Sequence, residues 1–305
     1  MDLLDIEFAE RCERIRQAVE GRFAGSFLGR PLRRSLAGGT EVTEHSDYTT
    51  GDDYRYVDWN RAARLDELVT RQFHGSTCED VYLLIDNSGS MQLPRSPAVS
   101  KFDRARQLAA LLGYLAIRRQ DTVVAATLDG PPLPASERIT TSHGFQPLWH
   151  FLNALQISPS TPNLVDAVQA FLRSDQRPGS VVLLSDLLDR QGFTRPLDAL
   201  RRYGHDVFVV QFFAPCDAEP EAAGNVALQD IESSELQQSF VDAEDLQHYS
   251  EEFADYCQEI STYCCQYGLG LTRVSTRDSP EQALHRILRC GEARAAARSS
   301  HAAPS

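Results

Sequence analysis

The sequence predicts an α/β fold, a doubly wound and mostly parallel sheet that is flanked by helices. Apolar runs typical of buried strands alternate with amphipathic helical patterns between residues 80 and 213. Several runs, such as Val181–Leu184, lack the polar alternation of a half-exposed strand, which indicates a parallel sheet covered on both faces. We therefore expect strand–helix–strand units, with an N-terminal helical and irregular extension and an inserted β-hairpin.

The chain divides into three predicted parts. Residues 1–67 contain an amphipathic helix over residues 3–19 and then a long segment punctuated by glycines, which we expect to pack on the core. Residues 68–290 contain the α/β domain. Residues 291–305 are low in complexity and are predicted to be a disordered tail.

Strand and helix segments follow one another regularly in the α/β domain. The predicted strands are LVTRQFH, DVYLLID, DTVVAATLD, SVVLLSDLL, HDVFVVQFF and, at an edge, LGLTRVS. Amphipathic helices are predicted between them, and SPEQALHRILRC is predicted as the closing helix. A β-hairpin near residues 225–242 and a long acidic helix after it interrupt the alternation.

Composition limits the possible partners and the compartment. The net charge of −13 argues against general nucleic-acid binding and suits a cation site or a basic partner. No apolar run approaches the roughly 20 residues that a membrane helix needs, so we expect no direct membrane span. The first residues are charged throughout, and the seven cysteines match no zinc spacing. We therefore expect reduced thiols and a cytoplasmic location.

Hard oxygen donors follow two of the predicted buried strands. Asp86, Ser88 and Ser90 alternate directly after YLLI, and Asp186 follows VVLLS. In a doubly wound sheet, ligands bind outside the carboxyl ends of the strands. Carboxylate and hydroxyl oxygens suit Mg²⁺, Mn²⁺ or Ca²⁺ rather than a soft metal. The pattern predicts a divalent cation site, with Mg²⁺ as the first choice.

Each of these residues also has an ordinary structural interpretation. A degenerate loop in which Asp86 only caps a turn would show the same spacing. Ser160 and Thr161 precede a predicted helix, where hydroxyls usually act as caps, although one of them could also reach a metal. Lys101, the only lysine, starts a predicted helix and is expected to be exposed. We find no catalytic constellation and predict that the chain is not an enzyme.

The spacing Asp86-x-Ser88-x-Ser90 resembles the metal-ion-dependent adhesion site of von Willebrand factor A domains. In that family a threonine and an aspartate from two further loops complete the site. The resemblance implies that the cation is held by the following residues: Asp86, Ser88, Ser90, Thr161 and Asp186. In the family the threonine runs directly into the helix, whereas Pro162 follows Thr161 here, so Ser160 stays an alternative.

The segment DYTTGDDYRYVDWNRAARLDELVTRQF is similar to the signature of the family known as domain of unknown function 58. The similarity extends over residues 20–290 and implies a von Willebrand factor A-like, Rossmann-like core. Many members carry two N-terminal membrane helices, so we expect this chain to represent a short, soluble branch. Genes of the family commonly neighbour those of MoxR-type AAA+ ATPases, which implies such an ATPase as partner.

The acidic block from Gly51 to Trp59 has two interpretations. Its acids and its arginine could form a salt-bridge lattice that fixes the long segment to the sheet, with Trp59 as an anchor. The alternative is a second metal or peptide site near the cation loop.

The predicted function is a metal-dependent protein-interaction module, in which a partner's acidic side chain completes the metal shell. Such a module would work as an adaptor with the ATPase in protein assembly or remodelling. The alternatives are a scaffold with a vestigial metal site and a Mg²⁺-dependent hydrolase.

Overall fold

The strands of the described chain bring the predicted cation loops to one edge of a central sheet. The computed structural model describes residues 6–19, 42–47, 69–73, 78–94, 99–130, 133–158, 163–174, 176–220, 224–229 and 236–301. Its strands are β1 (Val42–Asp47), β2 (Val69–Phe73), β3 (Asp80–Ile85), β4 (Thr122–Thr127), β5 (Ser180–Ser185), β6 (Asp206–Phe213), β7 (Gly224–Gln229), β8 (Leu236–Val241) and β9 (Gly270–Ser275).

The helices of the same residues surround that sheet. They are α1 (Ile6–Val19), α2 (Lys101–Arg118), α3 (Gln146–Ala154), α4 (Leu164–Arg173), α5 (Thr194–Arg202), α6 (Pro215–Ala218), α7 (Ala243–Gln266) and α8 (Pro280–His301). Short 3-10 turns cover Gly89–Gln92 and Thr141–His143. No described helix is both long and apolar enough to cross a lipid bilayer.

The central sheet has five parallel strands in the order β4-β3-β5-β6-β9. This arrangement confirms the predicted α/β fold class. Every residue of β5 is buried, as are all but the first of β3 and β4. Their near-continuous apolar sequences arise because helices cover both faces of the sheet.

Alternate residues of the strands serve two separate cores. Leu83 and Ile85 point to a core that they share with α1, α2, α3 and α8, where Phe8 and Leu112 are buried. Tyr82 and Leu84 point to the opposite core, which includes residues of α4, α5 and α7. Because successive side chains of a strand face opposite ways, each strand stabilises both helical layers.

The strand order reverses between β3 and β5. The chain leaves β3 for β4 on one side, then returns past β3 to β5 and continues through β6 to β9. Such a reversal leaves a crevice outside the carboxyl ends of the two strands, and in open α/β sheets ligands bind there. Asp86 and Asp186, each next to its strand end, lie at this reversal.

A second compact unit comprises Pro31–Cys78, whereas Met1–Arg30 belong with Glu79–Ser305. This division differs from the predicted boundary after residue 67. In the smaller unit β1 and β2 pair antiparallel. Within the predicted strand LVTRQFH, Val69–Phe73 therefore belong to a separate two-stranded sheet, and part of the segment predicted to be irregular is their partner. Val42 and Thr43, at the start of β1, are β-branched residues, which favour strands.

Helix α8 corrects the predicted disordered tail, because it continues through residue 291 to His301. Alanine, arginine and glutamate dominate GEARAAARSSH, and all three are strong helix formers. Arg294 also holds this end of the chain, since its guanidinium lies 2.9 Å from the carboxylate of Asp206. In the region of the predicted hairpin, β7 and β8 pair antiparallel.

Candidate metal centre

Asp86 follows β3 and is held in place from three directions. Its backbone N–H donates to the carbonyl of Leu184 on β5 at 2.9 Å. One carboxylate oxygen accepts from the N–H of Ser88 at 2.9 Å, and the other accepts from the hydroxyl of Ser185. The side chain is buried, and its acceptor oxygens retain lone pairs for a further ligand.

Ser88 and Ser90 present two hydroxyls beside this carboxylate. Ser88 precedes the 3-10 turn Gly89–Gln92, and the two side-chain oxygens lie 3.1 Å apart. Adjacent oxygens in the octahedral shell of Mg²⁺, each about 2.0–2.1 Å from the ion, are about 3 Å apart. The two hydroxyls are hydrogen-bonded to each other, and their separation is also the one that two ligands of a single Mg²⁺ ion have.

A cavity of about 20 Å³ lies next to these groups. Its walls include Asp86, Ser88, Ser185, Asp186, Leu164 and Asp189. Since about 10–15 Å³ is enough for one water molecule, the cavity accommodates a single ion or water. The site is thus small, lined by five polar residues and four leucines, and next to the strand reversal.

Asp186 is paired with Lys101, which the sequence analysis wrongly predicted to be exposed. Lys101 is fully buried, and its ammonium lies 2.7 Å from Asp186 Oδ2 and 3.0 Å from Asp217 Oδ2. The other oxygen of Asp186 accepts from the N–H of Leu188 at 3.1 Å. A buried ammonium is stable only when it is paired, and the two carboxylates provide that pairing.

Burial and neighbouring charge shift the proton affinities of the centre. Burial raises the pKa of Asp86 to about 6, and the nearby charge of Asp186 adds to the rise, while hydrogen bonds from Ser185 and Ser88 oppose it. Burial alone would lower the pKa of Lys101, but Asp186 and Asp217 outweigh it and raise the pKa above its usual value. Among the described residues, no basic side chain forms an ion pair with Asp86.

The turn after Asp186 adopts an unusual backbone conformation. Leu187, although buried and not glycine, has a φ of 61° in the left-handed region. Its N–H donates to the hydroxyl of Ser185 at 2.9 Å, and its carbonyl accepts from the phenol of Tyr256. Such strain costs about 1–3 kcal/mol and often occurs at functional sites.

Ser160 and Thr161 lie outside the described residues, as does the Gly51–Trp59 block. The described neighbours of the first pair are at the site. Ser158 donates its backbone N–H to the carbonyl of Asn87 at 2.8 Å, and Leu164 lines the cavity. The structure thus brings Asp86, Ser88, Ser90 and Asp186 together, and the assignment of Thr161 stays a prediction.

Lys101 and Asp217 belong to the centre and were missed by the sequence reasoning. Two signals were present. The chain uses arginine at every other strongly basic position, so a solitary lysine marks an unusual environment. Asp217 follows β6, another apolar strand, just as Asp86 and Asp186 follow theirs.

The centre fits a hydroxyl-rich cation site better than a carboxylate cage. Among the described residues, no group of three or more histidine, cysteine, aspartate or glutamate side chains could hold a metal. Two carboxylates with two serine hydroxyls form a different donor set, made of hard oxygens that suit Mg²⁺ or Mn²⁺. The residues present therefore fit a divalent cation.

Comparison with known proteins gives relatives of unassigned function. Uncharacterized proteins of Mycobacterium bovis and Mycobacterium tuberculosis are 27% identical over 246 residues, which are 79% of this chain and 76% of theirs. The solved structure of the conserved hypothetical protein BatB from Bacteroides thetaiotaomicron is 17% identical, with a TM-score of 0.43 over 70% of this chain and 99% of that one.

A second solved structure, an aerotolerance-related membrane protein from Bacteroides fragilis, is 15% identical, with the same TM-score and the same coverage of both chains. The sequence profile of one protein family matches residues 44–255, well over half of the chain, and is described as "Protein of unknown function DUF58". The protein therefore belongs to the DUF58 family.

Proposed function

We propose that the protein is a metal-dependent protein-interaction module. Asp86, Ser88 and Ser90 would hold a divalent cation, with Mg²⁺ preferred, and Asp186 and Thr161 would contribute from two further loops. The observation that supports this most directly is the 3.1 Å separation of the two serine hydroxyls, beside Asp86 and next to a cavity of about 20 Å³. A carboxylate and two hydroxyls leave room in an octahedral shell.

The open part of the shell would receive an acidic side chain of a partner protein. When bound, the cation supplies a positive charge that attracts such a carboxylate. The residues of this chain fix the donors in place, since Ser185 and the N–H of Ser88 orient the carboxylate of Asp86. We assign the site to binding rather than to catalysis.

The partner that we propose is a MoxR-type AAA+ ATPase, and the role is that of a cytoplasmic adaptor in protein assembly or remodelling. The support is the family membership of the chain together with the gene neighbourhood that the resemblance implies. That support is analogy rather than geometry.

A second candidate function is a scaffold with a vestigial metal site. Lys101 favours it, because Asp186 is already neutralised by an ammonium at 2.7 Å. In that case Asp86 and its neighbours would only shape the loop between β3 and α2.

Calorimetric titration with Mg²⁺ and Mn²⁺ separates the two candidates. The module should bind one cation saturably, and Ser88→Ala/Ser90→Ala should abolish binding because it removes both hydroxyl donors. Both side chains are half-buried, so the two substitutions should leave the core undisturbed. Asp121→Asn is the matched control, since Asp121 is a buried acid just before β4, at the opposite edge of the sheet.

A pull-down with the purified ATPase then tests the adaptor role. Binding should require Mg²⁺, stop on chelation and fail with the double serine variant. If the wild type binds neither cation, alone or with the ATPase present, the scaffold is the correct function.

A further inference from the structure

Lys101 lies between carboxylates that belong to two different strand-end loops. Asp186 follows β5, and Asp217 lies in α6 after β6. The ammonium of Lys101 contacts both, at 2.7 Å and 3.0 Å, and the side chain has no exposed surface. Asp217 is itself held in position, because its Oδ2 accepts from the N–H of Ala214 at 2.8 Å.

Both loops are also attached to the acidic helix α7. Tyr256 on α7 donates its phenol hydrogen to the carbonyl of Leu187, next to Asp186. Helix α6, which carries Asp217, contacts α7 directly. From Tyr203 to Thr272 the sequence contains no lysine or arginine, so the face presented by α7 is acidic. A movement of Lys101 would therefore affect two contacts that hold the acidic helix α7, the one from Tyr256 to Leu187 and the one between α6 and α7.

The charges of the centre explain why the ammonium matters. When ionised, the carboxylates of Asp86, Asp186 and Asp217 exceed the single positive charge of Lys101 by two, the charge of one divalent cation. Asp186 has one oxygen on Lys101 and the other on the N–H of Leu188. A cation that draws on Asp186 must therefore weaken its pairing with Lys101.

We propose that Lys101 is a positioning residue that competes with a bound cation for Asp186, and that Asp217 accepts its ammonium when the cation takes that carboxylate. The inference rests on the proposed function. Lysine suits this role because its ammonium has three rotatable donors on a flexible stem, so that a small rotation takes it from a position shared by both acids to one on Asp217 alone. Binding of the cation would thereby change the contacts of α6 and α7.

Two substitutions should change the affinity for Mn²⁺ in opposite directions. Lys101→Met removes the competitor and a nearby positive charge, so binding should tighten about tenfold. Asp217→Asn removes the alternative acceptor, so Lys101 should hold Asp186 more firmly and binding should weaken about tenfold. General damage to the fold would weaken binding in both variants.

The double variant Lys101→Met/Asp217→Asn has one unpaired buried acid fewer than Lys101→Met alone. It should also bind Mn²⁺ more tightly than the wild type.

The only lysine of the chain allows a direct measurement on the wild type. Protein labelled with ¹⁵N-lysine has a single side-chain ammonium signal in its NMR spectrum. Addition of Mg²⁺ should shift this signal saturably, and Ser88→Ala/Ser90→Ala should abolish the shift.

The failures are distinguishable. If calorimetry shows cation binding that depends on the serines, but the ammonium signal does not move and both substitutions leave the affinity within about twofold, Lys101 is purely structural and the proposed function stands. If the wild type binds no cation, alone or with the ATPase present, both the proposed function and this inference are wrong.

Discussion

Lys101 occupies a position at which size and charge both matter. The side chain is fully buried between two carboxylates, in a chain whose other strongly basic residues are all arginines. Lys101→Arg keeps the charge but adds a planar group to a filled space. We expect it to lower the free energy of unfolding by about 1–3 kcal/mol in urea denaturation.

The control for this substitution is Arg202→Lys, since the side chain of Arg202 is 76% exposed. That change should stay within about 0.5 kcal/mol. Equal stability of Lys101→Arg and wild type would show that the pocket around the ammonium is not closely packed.

Asp121 gives a pH-dependent prediction at the opposite edge of the sheet. Burial raises its pKa to about 6, and hydrogen bonding by the N–H of Glu79 and the charge of Arg119 only partly oppose this. A carboxyl whose folded pKa is raised stabilises the protein while protonated, and that contribution is lost as the pH rises through about 6. At neutral pH the buried charge is therefore unfavourable.

Asp121→Asn removes this charge and retains an oxygen for the N–H of Glu79. Relative to wild type, the variant should gain about 2–3 kcal/mol of unfolding free energy between about pH 4 and about pH 8. Urea denaturation of both proteins at each pH measures the difference. A difference that does not change with pH would mean that Asp121 titrates normally.

At the scale of elements, a hydrogen bond from the phenol of Tyr256 on α7 to the carbonyl of Leu187 attaches α7 to the loop that carries Asp186. Tyr256→Phe leaves this carbonyl without its donor and should lower the free energy of unfolding by about 1 kcal/mol. Tyr203→Phe is the control, because Tyr203 is 41% exposed. Equal effects of the two substitutions would argue against a specific attachment of α7.

The elements also show what the sequence could and could not predict. The strands that carry Asp86 and Asp186 were predictable, because full burial on both faces leaves continuous apolar runs such as YLLI and VVLL. The C-terminal extension of α8 was missed because alanine-rich, low-complexity sequence suits both a disordered tail and a helix. In the helix, Arg294 contacts Asp206, and a contact between residues so distant in sequence is not visible in the local pattern.

The candidate site was predictable only in part, because sequence patterns indicate where strands end but not how distant elements pack. Donors next to their own strand ends, such as Asp86 and Asp186, share an edge in any parallel sheet. The pairing of Lys101 with Asp217 depends on how α2 and α6 pack, which local patterns do not encode. A lysine at a helix start is usually exposed, and tertiary packing overrides that expectation here.

At the scale of the whole molecule, cation binding should stabilise the fold. A ligand that binds only the folded state raises the free energy of unfolding, by about 1.4 kcal/mol at ten times its Kd. Mg²⁺ should therefore raise the denaturation midpoint of the wild type and leave that of Ser88→Ala/Ser90→Ala unchanged. An equal rise in both would indicate binding elsewhere.

The central claim is that one divalent cation binds between Asp86, Ser88 and Ser90. Anomalous diffraction from crystals soaked in Mn²⁺ locates such an ion directly. The account predicts a single strong peak about 2.2 Å from both serine hydroxyls and from a carboxylate oxygen of Asp86. The absence of a peak at this position, with the loop ordered and Lys101 still paired with Asp186, would contradict the account and leave the scaffold as the function.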